Sequence, residues 1–137
     1  MDKVSERIKK DELKSMNITI KIIHHKKQRY ETLGDWIFDK QGNLVIYISD
    51  MNNWLYETLI GVHEIIEAVL CKQRGIEEKD VSKFDMEHPE LDDPGDDKRA
   101  CYHKEHIQAT FIEKVFAKFM GVRWWKYNED LDKFSGN

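Results

Sequence analysis

The sequence is poor in the residues that characterise disulfide-rich or disordered proteins. It has only two cysteines, Cys71 and Cys101, among 137 residues, which is too few for a disulfide framework. Two prolines and seven glycines, together with 40% apolar and 35% charged residues, exclude a low-complexity or disordered chain. We therefore expect one soluble, well-ordered domain with a single core, in which both cysteines are small buried hydrophobes.

Long apolar runs and an excess of basic charge are also absent. No apolar run approaches the roughly 18 residues needed to cross a bilayer. The N-terminal stretch MDKVSERIKKDELK lacks the apolar segment of a signal peptide. The net charge of -4 gives no general attraction to nucleic acid. These absences predict a cytoplasmic protein without nucleic-acid or membrane partners.

The first half of the chain carries strand signals. From Asn17 the stretch NITIKIIHHK is β-branched and partly alternating. The stretch DWIFDKQGNLVIYISD reads as two strands joined by a turn at residues 41–43. We predict a small antiparallel sheet, and we assign residues 17–137 to one domain preceded by a helical or flexible N-terminal segment, residues 1–16.

The second half carries helix signals. A first long helix is predicted after Asp50, because apolar residues recur with a period of about 3.6 until Gly75. A shorter helix over residues 77–86 and an acidic loop over residues 84–97, either solvated or an active-site flap, should follow. A second long helix is predicted at about residues 100–120, and VRWWKY should open a short helix whose aromatic residues cover the core. The predicted fold is α+β, with the small sheet packed on two long helices.

The first long helix contains GVHEIIEAVLCK, residues 61–72, in which charged side chains share a face with apolar ones. At 100° per residue, Glu67 lies about 40° from His63 on the inward side, whereas Gly61 and Ala68 lie on the opposite side. Glu64 is about 100° from His63, at the edge of the inward side. A carboxylate in apolar surroundings needs a partner, because an unpaired buried charge is destabilising.

The second long helix offers such a partner in YHKEH, residues 102–106. If the two helices pack together, His63, Glu67 and His106 meet at one point. Two imidazoles and one carboxylate with an open fourth position are the ligand set of a catalytic Zn²⁺. Glu64 would then face a water at that position, where a general base is required.

Two further side chains of the second helix belong near this site. His103 lies one turn before His106 and is predicted as an additional ligand or a substrate contact. Glu113 is about 10 Å along the axis from His106, so we expect it to hydrogen-bond a ligand rather than bind the same ion.

The stretch HEIIE resembles the HExxH helix of zincin metallopeptidases, with Glu67 in the place of the second histidine. The preceding sheet and the later histidine-bearing helix also look like a minimal zincin core. Residues 17–127 resemble small phage and prophage proteins with an HE..E helix, an acidic Pro-Gly-Asp loop and an H..AT..E helix (His106, Ala109, Thr110, Glu113). The resemblance implies a zinc-dependent peptidase acting on a protein or peptide in a bacterial or phage-infected cell.

Three alternatives remain open at this stage. The plainest is a core histidine beside a carboxylate that is paired with a lysine or arginine. A Mg²⁺-dependent nucleotide pyrophosphohydrolase would use Glu64 and Glu67 as an ExxE pair. A non-catalytic phage or host interaction protein would carry a structural metal between the helices, or none.

Overall fold

The computed structural model describes residues 13–135, so residues 1–12 of the predicted N-terminal segment lie outside it. Within the described range the chain forms three strands and then four helices. The strands are β1 (Ile18–Ile23), β2 (Gly34–Phe38) and β3 (Leu44–Ser49). The helices are α1 (Trp54–Gln73), α2 (Glu78–Glu87), α3 (His103–Phe119) and α4 (Trp124–Ser135). The α+β class is confirmed.

The sheet is mixed rather than wholly antiparallel. Its strand order is β1-β3-β2, and β2 and β3 form the predicted antiparallel hairpin around Gly42, whose φ is 85°. Strand β1 pairs parallel to β3, with Ile18 opposite Leu44, so the antiparallel prediction is wrong for β1. The reason is topological: the chain reverses direction in residues 24–33 and again in the hairpin, so β3 runs the same way as β1.

Helix α1 lies between the sheet and α3 and is covered on two faces. The Asn53 side chain caps its start by accepting a hydrogen bond of 3.1 Å from the Tyr56 backbone N–H. Gly61 and Ala68, on the side opposite His63, are also buried, because that side packs on the sheet. A Cβ at Gly61 would lie only 3.1 Å from Ile48 Cδ1. None of the helices in the described range, α1 included, has the length and apolar character needed to cross a membrane.

Two predictions about burial are wrong. Cys71 is buried as expected, but Cys101 is exposed because it lies in the turn before α3. In α4, Tyr127 is fully buried against the α1–α3 pair, whereas Trp125 is 63% exposed because it lies on the outer side of the helix. Trp124 is half-buried and packs against Tyr127.

The acidic stretch is part helix and part loop. Helix α2 extends to Glu87, so the first carboxylates are helical. The loop itself covers residues 88–102 and not the predicted 84–97, and the name acidic loop is used for residues 88–102 from here on. It contains a 3-10 turn over Pro94–Asp96 and passes across the first turn of α3. The loop therefore lies beside His106.

Candidate metal centre

Three side chains predicted as ligands converge between α1 and α3. His63 Nε2 is 3.1 Å from Glu67 Oε2 and 3.2 Å from His106 Nδ1, and the last two atoms are 2.8 Å apart. All three residues are buried, and their donor atoms form a group that can hold a metal ion. In a tetrahedral zinc site, ligand atoms about 2.0–2.2 Å from the ion lie roughly 3.3–3.5 Å from one another. Glu67 Oε2 and His106 Nδ1, which are 2.8 Å apart, would need to separate by about 0.5–0.7 Å, and the other two pairs by less.

The second ring nitrogen of His63 has a separate partner. His63 Nδ1 is 2.9 Å from Glu113 Oε1, and the Tyr127 hydroxyl donates a 2.6 Å hydrogen bond to Glu113 Oε2. A carboxylate on the far nitrogen of a histidine fixes the ring orientation and its tautomer. The structure thus places Glu113 where it orients His63 and directs Nε2 to the centre.

Glu67 and His106 are held in the same manner. Trp36 Nε1–H donates to Glu67 Oε1 at 2.9 Å, which leaves Oε2 facing the centre. His106 Nε2 lies 3.1 Å from Asp93 Oδ2 and 3.4 Å from Asp96 Oδ1, which leaves Nδ1 facing the centre. Each of the three side chains therefore uses one atom for an outer partner and points the other inward.

The carboxylates around the centre favour the protonated forms of its two histidines. Burial alone would lower the pKa of His63, but hydrogen bonds to Glu113 and Glu67 raise it to about 10. Burial likewise opposes protonation of His106, yet hydrogen bonds to Asp93 and Asp96 raise its pKa to about 12. Burial would raise the pKa of Glu67, but the two histidines lower it to about 2. Without metal, both rings carry protons that point at one Glu67 oxygen.

Glu64 stands beside the centre without a hydrogen bond. Its residue is 8% exposed, and its Oε2 lies 3.9 Å from His63 Nε2. No hydrogen-bond donor within residues 13–135 reaches its carboxylate. Gly34 backs the side chain so closely that a Cβ there would lie 2.9 Å from Glu64 Cγ. Burial and then the negative charge of Glu67 raise the pKa of Glu64 well above its ordinary value.

A cleft of about 790 Å³ opens onto the centre. Its walls come from β2, α1, α2, the acidic loop and the facing sides of α3 and α4. All three converging residues, and Glu64, line this space. The centre is therefore accessible to a molecule the size of a peptide segment or small substrate.

No protein-family model, curated protein or solved structure matches this chain. The likeness to zincins and to phage proteins therefore stays a prediction.

His103 does not join the three converging side chains. Its Nδ1 donates a 2.9 Å hydrogen bond to the Gly95 carbonyl, so it attaches the acidic loop to α3. Gly95 itself lies against the His106 ring, where a Cβ would be 2.3 Å from Cγ. The structure thus gives His103 a loop contact in place of the predicted ligand position.

Sequence reasoning missed Trp36, Asp93 and Asp96, which contact the converging side chains, and Tyr127, which holds Glu113. The aspartates had a signal, because they flank a Pro-Gly pair shortly before the histidine-bearing helix. For Trp36 and Tyr127 the sequence carries no such signal. Both are aromatic residues at inward positions, and burial in the core is the usual outcome there.

Proposed function

We propose that this chain is a zinc-dependent hydrolase, most like a peptidase, with His63 Nε2, Glu67 Oε2 and His106 Nδ1 as the metal ligands. One observation carries the proposal: the other atom of each side chain is already bound by a separate partner. Outer partners of this kind are typical of protein metal sites, where they orient the ligands.

The donor set favours zinc over magnesium and calcium. Two imidazole nitrogens and one carboxylate oxygen suit zinc, whereas magnesium and calcium prefer oxygen ligands. Among the described residues, the group that includes His63 offers three possible metal-ligand atoms and no fourth. Structural zinc sites usually have four protein ligands and are closed, whereas catalytic ones leave a position open. The open cleft at this centre supports a catalytic role over a structural one.

Glu64 supplies the general base in this proposal. A bound zinc ion lowers the pKa of water and polarises a substrate carbonyl. The Glu64 carboxylate faces the same cleft without a competing donor, so it is free to accept a proton from the attacking water. Burial and the charge of Glu67 raise its pKa, which makes the ionised Glu64 carboxylate a stronger base.

Metal analysis combined with the substitution Glu64→Gln tests the proposal. The purified protein should contain one zinc per chain by elemental mass spectrometry. Glu64→Gln should keep the zinc and lose hydrolysis of a mixture of quenched fluorescent peptides by at least about 100-fold. The control Glu87→Gln removes an exposed carboxylate from α2 and should change neither property. Loss of zinc from Glu64→Gln would make Glu64 a ligand and contradict its role as base.

The same measurements separate the alternatives. Magnesium-dependent turnover of nucleotides without bound zinc would support the pyrophosphohydrolase. A protein that contains no metal, and whose thermal stability is unchanged by a chelator, would support the non-catalytic interaction protein.

A further inference from the structure

Negative charge exceeds positive charge in the cleft that leads to the centre, even when His63 and His106 are protonated. Eleven carboxylate side chains and one arginine, Arg29, line it, and no lysine of the described residues does. Arg29 is already paired with Asp35 at 2.7 Å and with Glu78. Even with a divalent ion at the centre, the carboxylates outnumber the positive charges. A negatively charged substrate such as a nucleotide would be repelled, and a positively charged one attracted.

One carboxylate of the cleft, Asp85, is held in place by neutral donors. The Tyr30 hydroxyl donates to Asp85 Oδ2 at 3.0 Å, and the Tyr102 hydroxyl donates to Oδ1. Asp85 is partly buried, and no cationic side chain within residues 13–135 lies within ion-pairing distance of it. The negative charge of Asp85 is therefore oriented by two hydroxyls but neutralised by neither.

Asp85 also lies close to the centre. The Tyr102 ring meets the His106 ring edge-on, with centroids 6.0 Å apart, and its hydroxyl reaches Asp85. One tyrosine thus spans the distance from a metal ligand to this carboxylate. Glu64, more than nine-tenths buried and without a hydrogen-bond donor among the described residues, faces the same cleft.

We propose that the cleft binds substrates with an ammonium or guanidinium group near the reacting bond, and that Asp85 accepts this group. The reaction itself rests on the function proposed above, but the charge preference does not require the metal. A carboxylate with both oxygens oriented by tyrosine hydroxyls matches a lysine or arginine side chain, because hydrogen bonds between two charged groups are strong. Asp85 is then a specificity-determining residue.

Binding of three matched peptides tests this assignment. The probes are capped pentapeptides that differ only in the central residue, which is lysine, norleucine or glutamate. Calorimetry at low ionic strength uses the metal-free wild-type chain and the zinc-loaded Glu64→Gln variant, so that no peptide is cleaved. We expect the lysine peptide to bind at least about tenfold more tightly than the norleucine peptide in both proteins, and the glutamate peptide to bind most weakly.

The substitution Asp85→Asn keeps two hydrogen-bonding atoms and removes the charge, and it should reduce the lysine preference to less than twofold. The control Asp80→Asn makes the same charge change on the same helix outside the cleft and should leave the preference intact. Two results with the wild-type chain would overturn the assignment: equal affinity for the lysine and norleucine peptides, or no measurable binding of any peptide. Both can be observed even if Asp85→Asn fails to fold. A lysine preference in a protein that binds no zinc would support the assignment of Asp85 and contradict the zinc proposal.

Discussion

His63 has two ring nitrogens, and its neighbours give each a different role. Glu113 holds Nδ1 at 2.9 Å, and Nε2 faces Glu67 and His106. Since a neutral imidazole carries one proton, a hydrogen bond from Nδ1–H to Glu113 leaves the Nε2 lone pair free for a metal. The Tyr127 hydroxyl fixes Glu113 in turn. In the proposed function, the strength of His63 as a ligand therefore depends on Glu113 and Tyr127, which lie outside the group of three.

Replacing Glu113 with Gln should weaken zinc binding. The amide is a neutral acceptor, so it stabilises the metal-binding tautomer of His63 less well than the carboxylate does. We expect the zinc affinity to fall by about 10- to 100-fold, measured by competition with a chromophoric chelator.

Two tyrosines provide a matched comparison for this prediction. Tyr127→Phe removes the hydroxyl that holds Glu113 and should lower the zinc affinity by a smaller factor. Tyr56→Phe removes a hydroxyl that donates a bond of the same length, 2.6 Å, to Asp130, and it should leave the zinc affinity unchanged. If all three variants bind zinc as the wild type does, Glu113 has a purely structural role.

The acidic loop and helix α3 form one side of the centre through close contact. His103 donates to the Gly95 carbonyl, and Gly95 lies flat against the His106 ring. Only a residue without a side chain allows this approach, which also brings Asp93 and Asp96 to His106 Nε2. The loop is therefore a part of the site and not only a solvated connection.

Gly95→Ala should disturb this contact. The new Cβ would lie 2.3 Å from His106 Cγ, so the loop or the ring must move. We expect the free energy of unfolding to fall by about 1–3 kcal/mol in urea titrations and zinc affinity to fall as well. Gly34→Ala offers a contrast, because its Cβ would meet Glu64 and Ile60 instead. It should reduce hydrolysis more than zinc affinity, and equal zinc loss in both variants would contradict this assignment of the two glycines.

The helices and the hairpin could be predicted because their signals are local. The spacing of His63 and Glu67 places both on one face of a helix, whatever the helix packs against. The pairing of β1 could not be predicted in this way, because it depends on the path of residues 24–33. The position of Asp93 also depends on a loop path, and neither path has a periodic pattern.

The charge of the folded protein links its stability to pH and, in the proposed function, to zinc. The folded-state pKa values of His63 and His106, about 10 and about 12, exceed the ordinary value of 6.5. The stability that these protonated rings contribute is fully present below pH 6.5, where the unfolded chain is also protonated. It is lost progressively as the pH rises towards 10, because the folded state then holds more protons than the unfolded state.

The metal-free protein should therefore become less stable between pH 7 and pH 9, by up to about 1.4 kcal/mol per pH unit for each ring, or about 5 kcal/mol for both, in urea titrations. Zinc replaces the protons with a metal ion, so the zinc-loaded protein should show little change over this range. Zinc at 100 times its dissociation constant should add about 2.7 kcal/mol. His88→Ala, outside the centre, should preserve the pH dependence. A metal-free protein with constant stability over this range would show that the rings are not protonated as described.

The amino-acid sequence was sufficient for the α+β class, the long helices and the meeting of His63, Glu67 and His106, because these follow from periodicity and from the chemistry of each side chain. The tertiary structure alone decided which atom of each side chain faces the centre. That choice depends on Trp36 and Glu113, which lie 31 and 50 residues from the groups they hold. Contacts at such separations are determined by how the sheet, α1 and α3 pack together, and no local pattern encodes that packing.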